Sequence, residues 1–203
     1  MATTTFIESG SDSTQGFEFY QKTFTGTGAT VASDSTQSKD GPRSIKCDVA
    51  NIDQFAYFVT PNAVVSDAGA LISAWVRLST ASPSETGLII LVEMATDGSG
   101  IIGIGLNTNG TLFVKGRGCT AKNGSTVLSA NTWYRISLGY IITTSSNWSA
   151  TAYINGASEV STSNADGTLT AVTTSCVVLM ICSTIPTGRR KRSCSRSRRF
   201  KTS

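Results

Sequence analysis

The residues that could do chemistry in this sequence are few and widely spaced. The chain has no histidine, so neither a Ser-His-Asp triad nor a histidine-ligated metal site is available. Hydrolysis of a glycosidic bond uses two carboxyl groups close together. Glu93 is the only acid of its segment, and Glu85 lies eight residues earlier in a Pro-Ser-Glu-Thr loop. We therefore expect the chain not to be an enzyme.

A second set of residues could bind a ligand without changing it. Arg77 and Glu93 form a structural ion pair if their strands are neighbours. Alternatively, charged side chains on a concave sheet hold a sugar, with Trp75 or Tyr57 as the stacking platform, because sugars bind through aromatic faces and a few fixed hydrogen bonds. The sequence leaves both interpretations open. The candidate ligand-binding residues are Tyr57, Trp75, Arg77, Glu93, Lys115 and Arg135.

Metal and redox chemistry have little support in the sequence. The loops TDGSG (96–100) and NADG (164–167) could offer oxygen ligands to calcium, but each has one carboxylate, which is little charge for such a site. Ordinary turn chemistry explains both loops. We therefore predict no cofactor and leave metal binding open. The five cysteines are odd in number and widely spaced, which indicates small buried apolar residues and not a disulfide framework.

The elements that would position these residues are strands. Apolar and polar residues alternate in RSIKCDV (43–49), and similar patterns follow at QFAYFVT (54–60) and ALISAWVRLS (70–79). GLIILVEMA (87–95) is apolar almost throughout, which predicts a central strand. The pair Asn109-Gly110 between GIIGIGL and TLFVKG predicts a hairpin with a type I′ turn. About eleven strands and no amphipathic helix predict an all-β, two-sheet antiparallel sandwich.

One longer segment carries a family resemblance. NTWYRISLGYIITTSSNWSATAYINGASE places Trp-Tyr-Arg-Ile (133–136) before a hairpin, and the return strand ends in Tyr-Ile-Asn-Gly (153–156). Together with LISAWVRL, FIESG and DGPRSIKCDV it resembles the concanavalin A-like, laminin G-like jelly-roll sandwiches over residues 5–182. The resemblance implies that fold, which hosts lectins, glycosidases, adhesion modules and phage tail parts. The glycosidases of this fold would need an alternating Glu-x-Asp-x-x-Glu strand, and none is present.

The last residues differ abruptly from the rest of the chain. Without them the chain has nine basic and thirteen acidic residues, so the formal charge of +4 comes from the tail. We predict a sandwich domain over 1–187 and a disordered basic tail over 188–203. A frame error is favoured over a nucleic-acid or polyanion arm and over a protease site, because the relatives end in a further strand. The polyanion-binding candidates are Arg189, Arg190, Lys191, Arg192, Arg196, Arg198 and Arg199.

These features together predict a non-catalytic binding or structural module. Its expected partner is a glycan or a neighbouring structural subunit, and nucleic acid, if it binds at all, is expected to bind only through the tail. Polyanion binding and, less favoured, glycoside hydrolysis are the alternatives. The start of the chain has no signal-peptide pattern and the longest apolar run, 176–182, is too short to cross a bilayer. We therefore expect a soluble protein of a virion or an extracellular surface, with no membrane partner.

Overall fold

The fold consists of β-strands joined by turns. The computed structural model describes residues 21–25, 30–48, 55–59, 68–83, 86–94, 100–169 and 176–183. Within these residues the only helical element is a 3-10 turn, Asn164–Asp166. The strands are β1 (Gln21–Thr25), β2 (Thr30–Asp34), β3 (Ser44–Asp48), β4 (Phe55–Val59), β5 (Gly69–Arg77), β6 (Gly87–Met94), β7 (Gly100–Leu106), β8 (Thr111–Gly116), β9 (Lys122–Val127), β10 (Trp133–Thr144), β11 (Asn147–Ile154), β12 (Ala157–Ser163) and β13 (Cys176–Ser183).

The strands form two main antiparallel sheets and a hairpin. One sheet has seven strands in the order β1-β4-β13-β6-β7-β8-β9, the other has four in the order β12-β11-β10-β5, and β2 pairs with β3. The all-β, two-sheet prediction is therefore confirmed, and β6 is central as its apolar sequence predicted. The suggested pairing of Arg77 with Glu93 on neighbouring strands is wrong, because β5 and β6 belong to different sheets.

The main core lies between the two sheets. The alternation of β10 turns Ile136 and Leu138 inward, and both are fully buried. Facing strands of the seven-stranded sheet contribute Ile104 and Val114, which are cross-strand partners and also fully buried. Complete burial of such side chains contributes about 1.5–3 kcal/mol each. Cys119 joins this core, and burial raises the pKa of its thiol, in agreement with its prediction as a small apolar residue.

Two Asn-Gly pairs make two different turns. Asn155 and Gly156 both have positive φ, 52° and 89°, between the paired residues Ile154 and Ala157. This is the type I′ geometry that suits a two-residue hairpin. At Asn109-Gly110 the predicted hairpin is confirmed, but the predicted type I′ turn is wrong, because only Gly110 of this pair has positive φ. The Asn109 side chain instead accepts hydrogen bonds from the Thr111 backbone and hydroxyl, which stabilises a longer loop.

One long edge of the sandwich is closed by carboxylates, in a region that we call the closing seam (119–126 with 159–167). Glu159 of β12 accepts hydrogen bonds from the backbone N–H groups of Ser125 and Thr126, at 2.6 and 2.8 Å, and from the Thr126 hydroxyl. Asp166 forms an ion pair with Lys122 at 2.8 Å. Because β9 and β12 belong to different sheets, these contacts fasten the two sheets together.

Several sequence-based predictions fall on residues outside the described ranges. They include the segment FIESG (6–10) of the family resemblance and the tail from 188 onward. The domain boundary near 187 and the candidate polyanion-binding arginines lie there as well. Among the described residues, no helix has the length and apolar character needed to cross a membrane.

Candidate functional site

The outer face of the four-stranded sheet displays aromatic, cationic and hydroxyl side chains, and we call it the Trp75 face. It arises from strand alternation, because the residues between the inward apolar positions of β5, β10 and β11 point away from the core. Four large hydrophobic side chains are exposed in the described part of the chain, and three of them lie on this face: Leu71 (69%), Trp75 (44%) and Ile141 (64%). An exposed apolar cluster with a polar surround is typical of a ligand-binding surface.

Two tryptophans and two arginines alternate at one end of this face. Trp75 lies directly opposite Arg135 in the β5–β10 ladder, and Arg77 lies opposite Trp133. Directly opposed residues of an antiparallel pair have neighbouring side chains. The Arg135 guanidinium extends toward the Asn155-Gly156 turn, since a Cβ atom at Gly156 would lie 3.0 Å from its Nη2 atom. Neither arginine forms an ion pair with any described residue.

Arg135 is held by the turn that it covers. The Asn155 side chain accepts a hydrogen bond from the Arg135 backbone N–H at 2.9 Å, and the Asn155 backbone N–H donates to the Arg135 carbonyl at 2.8 Å. These two bonds need the left-handed conformation of Asn155, which asparagine tolerates well. The family-like Asn-Gly motif therefore positions a charged residue of the face.

A third cation reaches the face from the β2–β3 loop. The Lys39 ammonium lies 4.8 Å from the centroid of the Trp75 ring, which is a cation–π contact. Its loop is held by internal hydrogen bonds, from Ser38 Oγ to the Gly41 carbonyl and from Ser44 Oγ to the Gln37 carbonyl, both 2.6 Å. The loop begins at Asp34, whose pKa is lowered by hydrogen bonds from the hydroxyl and N–H of Thr36.

The other half of the face is apolar and hydroxylated. Ser73 and Ser137 share a hydrogen bond of 2.7 Å across the strands, next to Tyr153 in the adjoining β10–β11 ladder. Gly139 leaves room for the Tyr153 ring, because a Cβ atom there would lie 3.3 Å from Tyr153 Cε2 and 3.6 Å from Leu71 Cδ1. The Tyr153 ring and Leu71 therefore meet above a strand position that has no side chain.

The structure divides the six predicted ligand-binding residues between the two sheets. Trp75, Arg77 and Arg135 come together on the Trp75 face. The other three belong to the seven-stranded sheet, where the backbone of each is paired: Tyr57 with Thr23 and Ile181, Glu93 with Val177 and Gly100, and Lys115 with Gly103. They do not share a sheet with Trp75.

Sequence reasoning missed three residues of this face as site candidates. Trp133 and Tyr153 could have been found from strand alternation. Trp133 lies two residues before the outward residue Arg135, and Tyr153 lies opposite the outward residue Ser137 in the same hairpin. Lys39 lies in a loop distant in sequence, and nothing local indicates its contact with Trp75.

The calcium interpretation applies to loops that the structure describes only in part. In NADG, Asp166 is bound to Lys122, and its second oxygen accepts hydrogen bonds from the Thr162 hydroxyl and the Ser163 N–H. The Lys122 ammonium is the main cause of the lowered pKa of this carboxyl, and the hydrogen bonds from Ser163 and Thr162 lower it further. Residues 96–99 lie outside the described ranges. Among the residues that are described, no three histidine, cysteine or acidic side chains gather into a group that could hold a metal.

Comparison with known proteins supports the fold and corrects the function. No protein-family model and no curated protein sequence matches the chain. The endo-β-1,4-glucuronan lyase of the fungus Trichoderma reesei is similar in structure, with a TM-score of 0.57 and 13% identity over 75% of this chain and 74% of that one. A carbohydrate esterase of the Shiga toxin-encoding bacteriophage phi24B has a TM-score of 0.47 and 14% identity over 78% and 80% of the two chains. Of these two structures, the glucuronan lyase has a TM-score above 0.5.

The similarity identifies the fold as a jelly-roll sandwich, which confirms the predicted fold class. It overturns the prediction of a non-catalytic, lectin-like module and the expectation that the chain is not an enzyme, since a protein that shares the fold is itself an enzyme of carbohydrate chemistry. The prediction rested on the absence of a glycosidase's paired carboxylates, and that absence does not exclude other carbohydrate chemistry on this fold.

Proposed function

We propose that this chain is a carbohydrate-active enzyme that cleaves a polysaccharide bound across the Trp75 face. The observation that carries the proposal is the exposed Trp75 with arginine neighbours that have no ion-pair partner among the described residues, on a fold shared with a polysaccharide-cleaving enzyme. The concanavalin A-like affiliation within the jelly-roll class is part of the same proposal.

Binding follows from the two halves of the face. A sugar ring has an apolar C–H face that packs on an aromatic ring, and hydroxyl groups at its edge that need hydrogen-bond partners. Trp75 and Leu71 offer apolar surface, while Arg135 and the exposed Ser73 offer polar groups beside it. The sheet is continuous between these residues, so several consecutive sugars of one chain are in reach.

Cleavage of a glycosidic bond requires proton transfer to the departing oxygen, whether by hydrolysis or by elimination. Tyr153 is the group that we assign to this transfer, because tyrosine can donate and accept protons and this one is half-buried on the same face. Arg135 lies two residues before Ser137, the cross-strand partner of Tyr153, and can stabilise negative charge that develops during the reaction. The carboxylates of the closing seam are occupied by structural contacts and take no part.

The test is to incubate the full chain with neutral and acidic polysaccharides and to analyse products by size-exclusion chromatography and mass spectrometry. We expect one polymer to be shortened, with elimination products lighter by one water than hydrolysis products. Tyr153→Phe should abolish cleavage while binding persists. The matched control is Tyr134→Phe, because the Tyr134 hydroxyl lies on the core side of β10 and accepts a hydrogen bond from the Ser129 N–H. Failure of the full chain to shorten any polymer would overturn the proposal.

A further inference from the structure

We infer that the polysaccharide recognised by the Trp75 face is acidic, with carboxylate groups as in a uronic acid polymer, and that Lys39 is the residue that selects for it. This inference rests on the proposed function and adds the chemical class of the ligand. It is carried by the position of the Lys39 ammonium over the ring on which a sugar would stack.

The ring of Trp75 is already in contact with a cation. A neutral sugar that stacks on the ring face beneath Lys39 displaces the ammonium, which costs the cation–π contact without replacing it. A sugar carrying a carboxylate can stack while its carboxylate forms an ion pair with the displaced ammonium. The same residue therefore opposes neutral sugars and favours acidic ones, which is how specificity is built from both attraction and repulsion.

The loop that carries Lys39 is organised before any ligand binds. Hydrogen bonds at both ends of the loop, Thr36 to Asp34 and Ser44 Oγ to the Gln37 carbonyl, limit its conformations. A preorganised loop loses less conformational entropy when the ligand binds. Lys39 is therefore held at the ring by its loop as well as by the ring itself.

The charge around the ring is complementary to an acidic polymer. Arg135 lies beside Trp75 across the strands, and Arg77 is the next outward residue of the same strand. The pKa of Asp34 near Arg77 is lowered mainly by hydrogen bonds from the hydroxyl and N–H of Thr36, with smaller contributions from the charges of Lys46 and Arg77. Three cations thus lie around the ring, two of them arginines in diagonal positions of the β5–β10 ladder.

The chain provides a matched control for Lys39. Lys46 is an exposed lysine of the same hairpin, and it forms an ion pair with Asp48 at 2.8 Å. Lys39→Met and Lys46→Met change the net charge equally and leave the basic tail unchanged, so the tail's contribution to binding a polyanion cancels when the two variants are compared.

The experiment is calorimetric titration of the full chain and both variants with a uronic acid tetrasaccharide and with a neutral tetrasaccharide of the same linkage. We expect wild type to bind the acidic ligand about tenfold more tightly and with a marked decrease at high salt. Lys39→Met should lose about fivefold in affinity for the acidic ligand and gain affinity for the neutral one, because a neutral sugar no longer has to break a cation–π contact to reach the ring. Lys46→Met should match wild type.

Equal behaviour of the two lysine variants, or equal affinity of wild type for the two ligands, would overturn the inference. The proposed function fails separately. If Trp75→Ala leaves the binding of both tetrasaccharides unchanged, the face is not the binding surface and both proposals are wrong. If Trp75→Ala abolishes binding but Lys39→Met has no selective effect, only the acidic specificity is wrong.

Discussion

Two tryptophans of the four-stranded sheet have opposite environments. Trp148 of β11 is 3% exposed, packs against the position of Gly116 and donates its Nε1–H to the Gly167 carbonyl at 3.0 Å. Trp75 of β5 is 44% exposed and has a lysine over its ring. Trp148 thus has a hydrogen-bond partner for its indole N–H within the protein, as buried tryptophans usually do. Trp75 presents a large apolar surface to solvent, which adds little to folding and suits a ligand.

The charged residues show the same difference. In the closing seam, Glu159 and Asp166 are saturated by hydrogen bonds and by Lys122. On the Trp75 face, Arg77 and Arg135 have no ion-pair partner among the described residues. Charges that hold the fold are paired, and charges left unpaired beside an exposed aromatic ring remain available to a ligand.

Trp148→Ala should have the largest effect on stability. We expect a loss of about 3–5 kcal/mol, because the substitution leaves a cavity and an unbonded carbonyl at Gly167. Urea unfolding followed by circular dichroism measures it. A loss no greater than that of Trp75→Ala would remove the distinction between the two tryptophans.

Trp75→Ala should instead impair polysaccharide binding by about tenfold or more, equivalent to about 1.4 kcal/mol or more. Its free energy of unfolding should change by less than about 1 kcal/mol, since an exposed cation–π contact contributes little. Affinity electrophoresis and urea unfolding of the same preparation measure the two quantities. Loss of stability without loss of binding would contradict a ligand-binding role.

Glu159→Gln should destabilise the fold by about 1–2 kcal/mol, since one neutral amide cannot replace a carboxylate that accepts three hydrogen bonds. Polysaccharide binding should be unaffected. The measurement is the urea midpoint, with Asp48→Asn as control, because the Lys46–Asp48 pair is exposed to solvent and should contribute little to stability.

The pH dependence of stability should show the smallest effect. Burial raises the pKa of Glu159, but its hydrogen bonds from Thr126 and Ser125 outweigh burial and the pKa is lowered, while Lys122 lowers that of Asp166. Their contribution is present above the ordinary values of 4.5 and 3.8 and is lost as the pH falls through the lowered values. The urea midpoint should therefore decline below about pH 5. A combined Glu159→Gln, Asp166→Asn variant should show a weaker decline, and an identical one would contradict the assignment.

The sequence predicted the strands well because alternation is a local property. The patterns around Ile45, Val76 and Ile136 match β3, β5 and β10, and the Asn155-Gly156 turn could be recognised from two residues. The type of the turn at Asn109 could not be recognised in this way, because it depends on hydrogen bonds from Thr111 to the Asn109 side chain.

The site was only partly predictable for a different reason. Trp75, Arg77 and Arg135 could be selected by residue type and phase, but nothing local tells which strands share a sheet, so Lys115 and Glu93 were grouped with them wrongly. The contacts of Lys39 with Trp75 and of Glu159 with Ser125 join residues more than thirty positions apart. Such contacts are set by topology, which alternation does not encode.

The most direct measurement is hydroxyl-radical footprinting of the full chain with and without the polysaccharide that it binds, read by mass spectrometry. Trp75 and Leu71 lie on the Trp75 face, and Val127 of β9 is similarly exposed, at 57%, away from it. We predict that the polysaccharide protects Trp75 and Leu71 from oxidation and leaves Val127 unchanged. Unchanged oxidation of Trp75 in the saturated complex would contradict the assignment of function to this face.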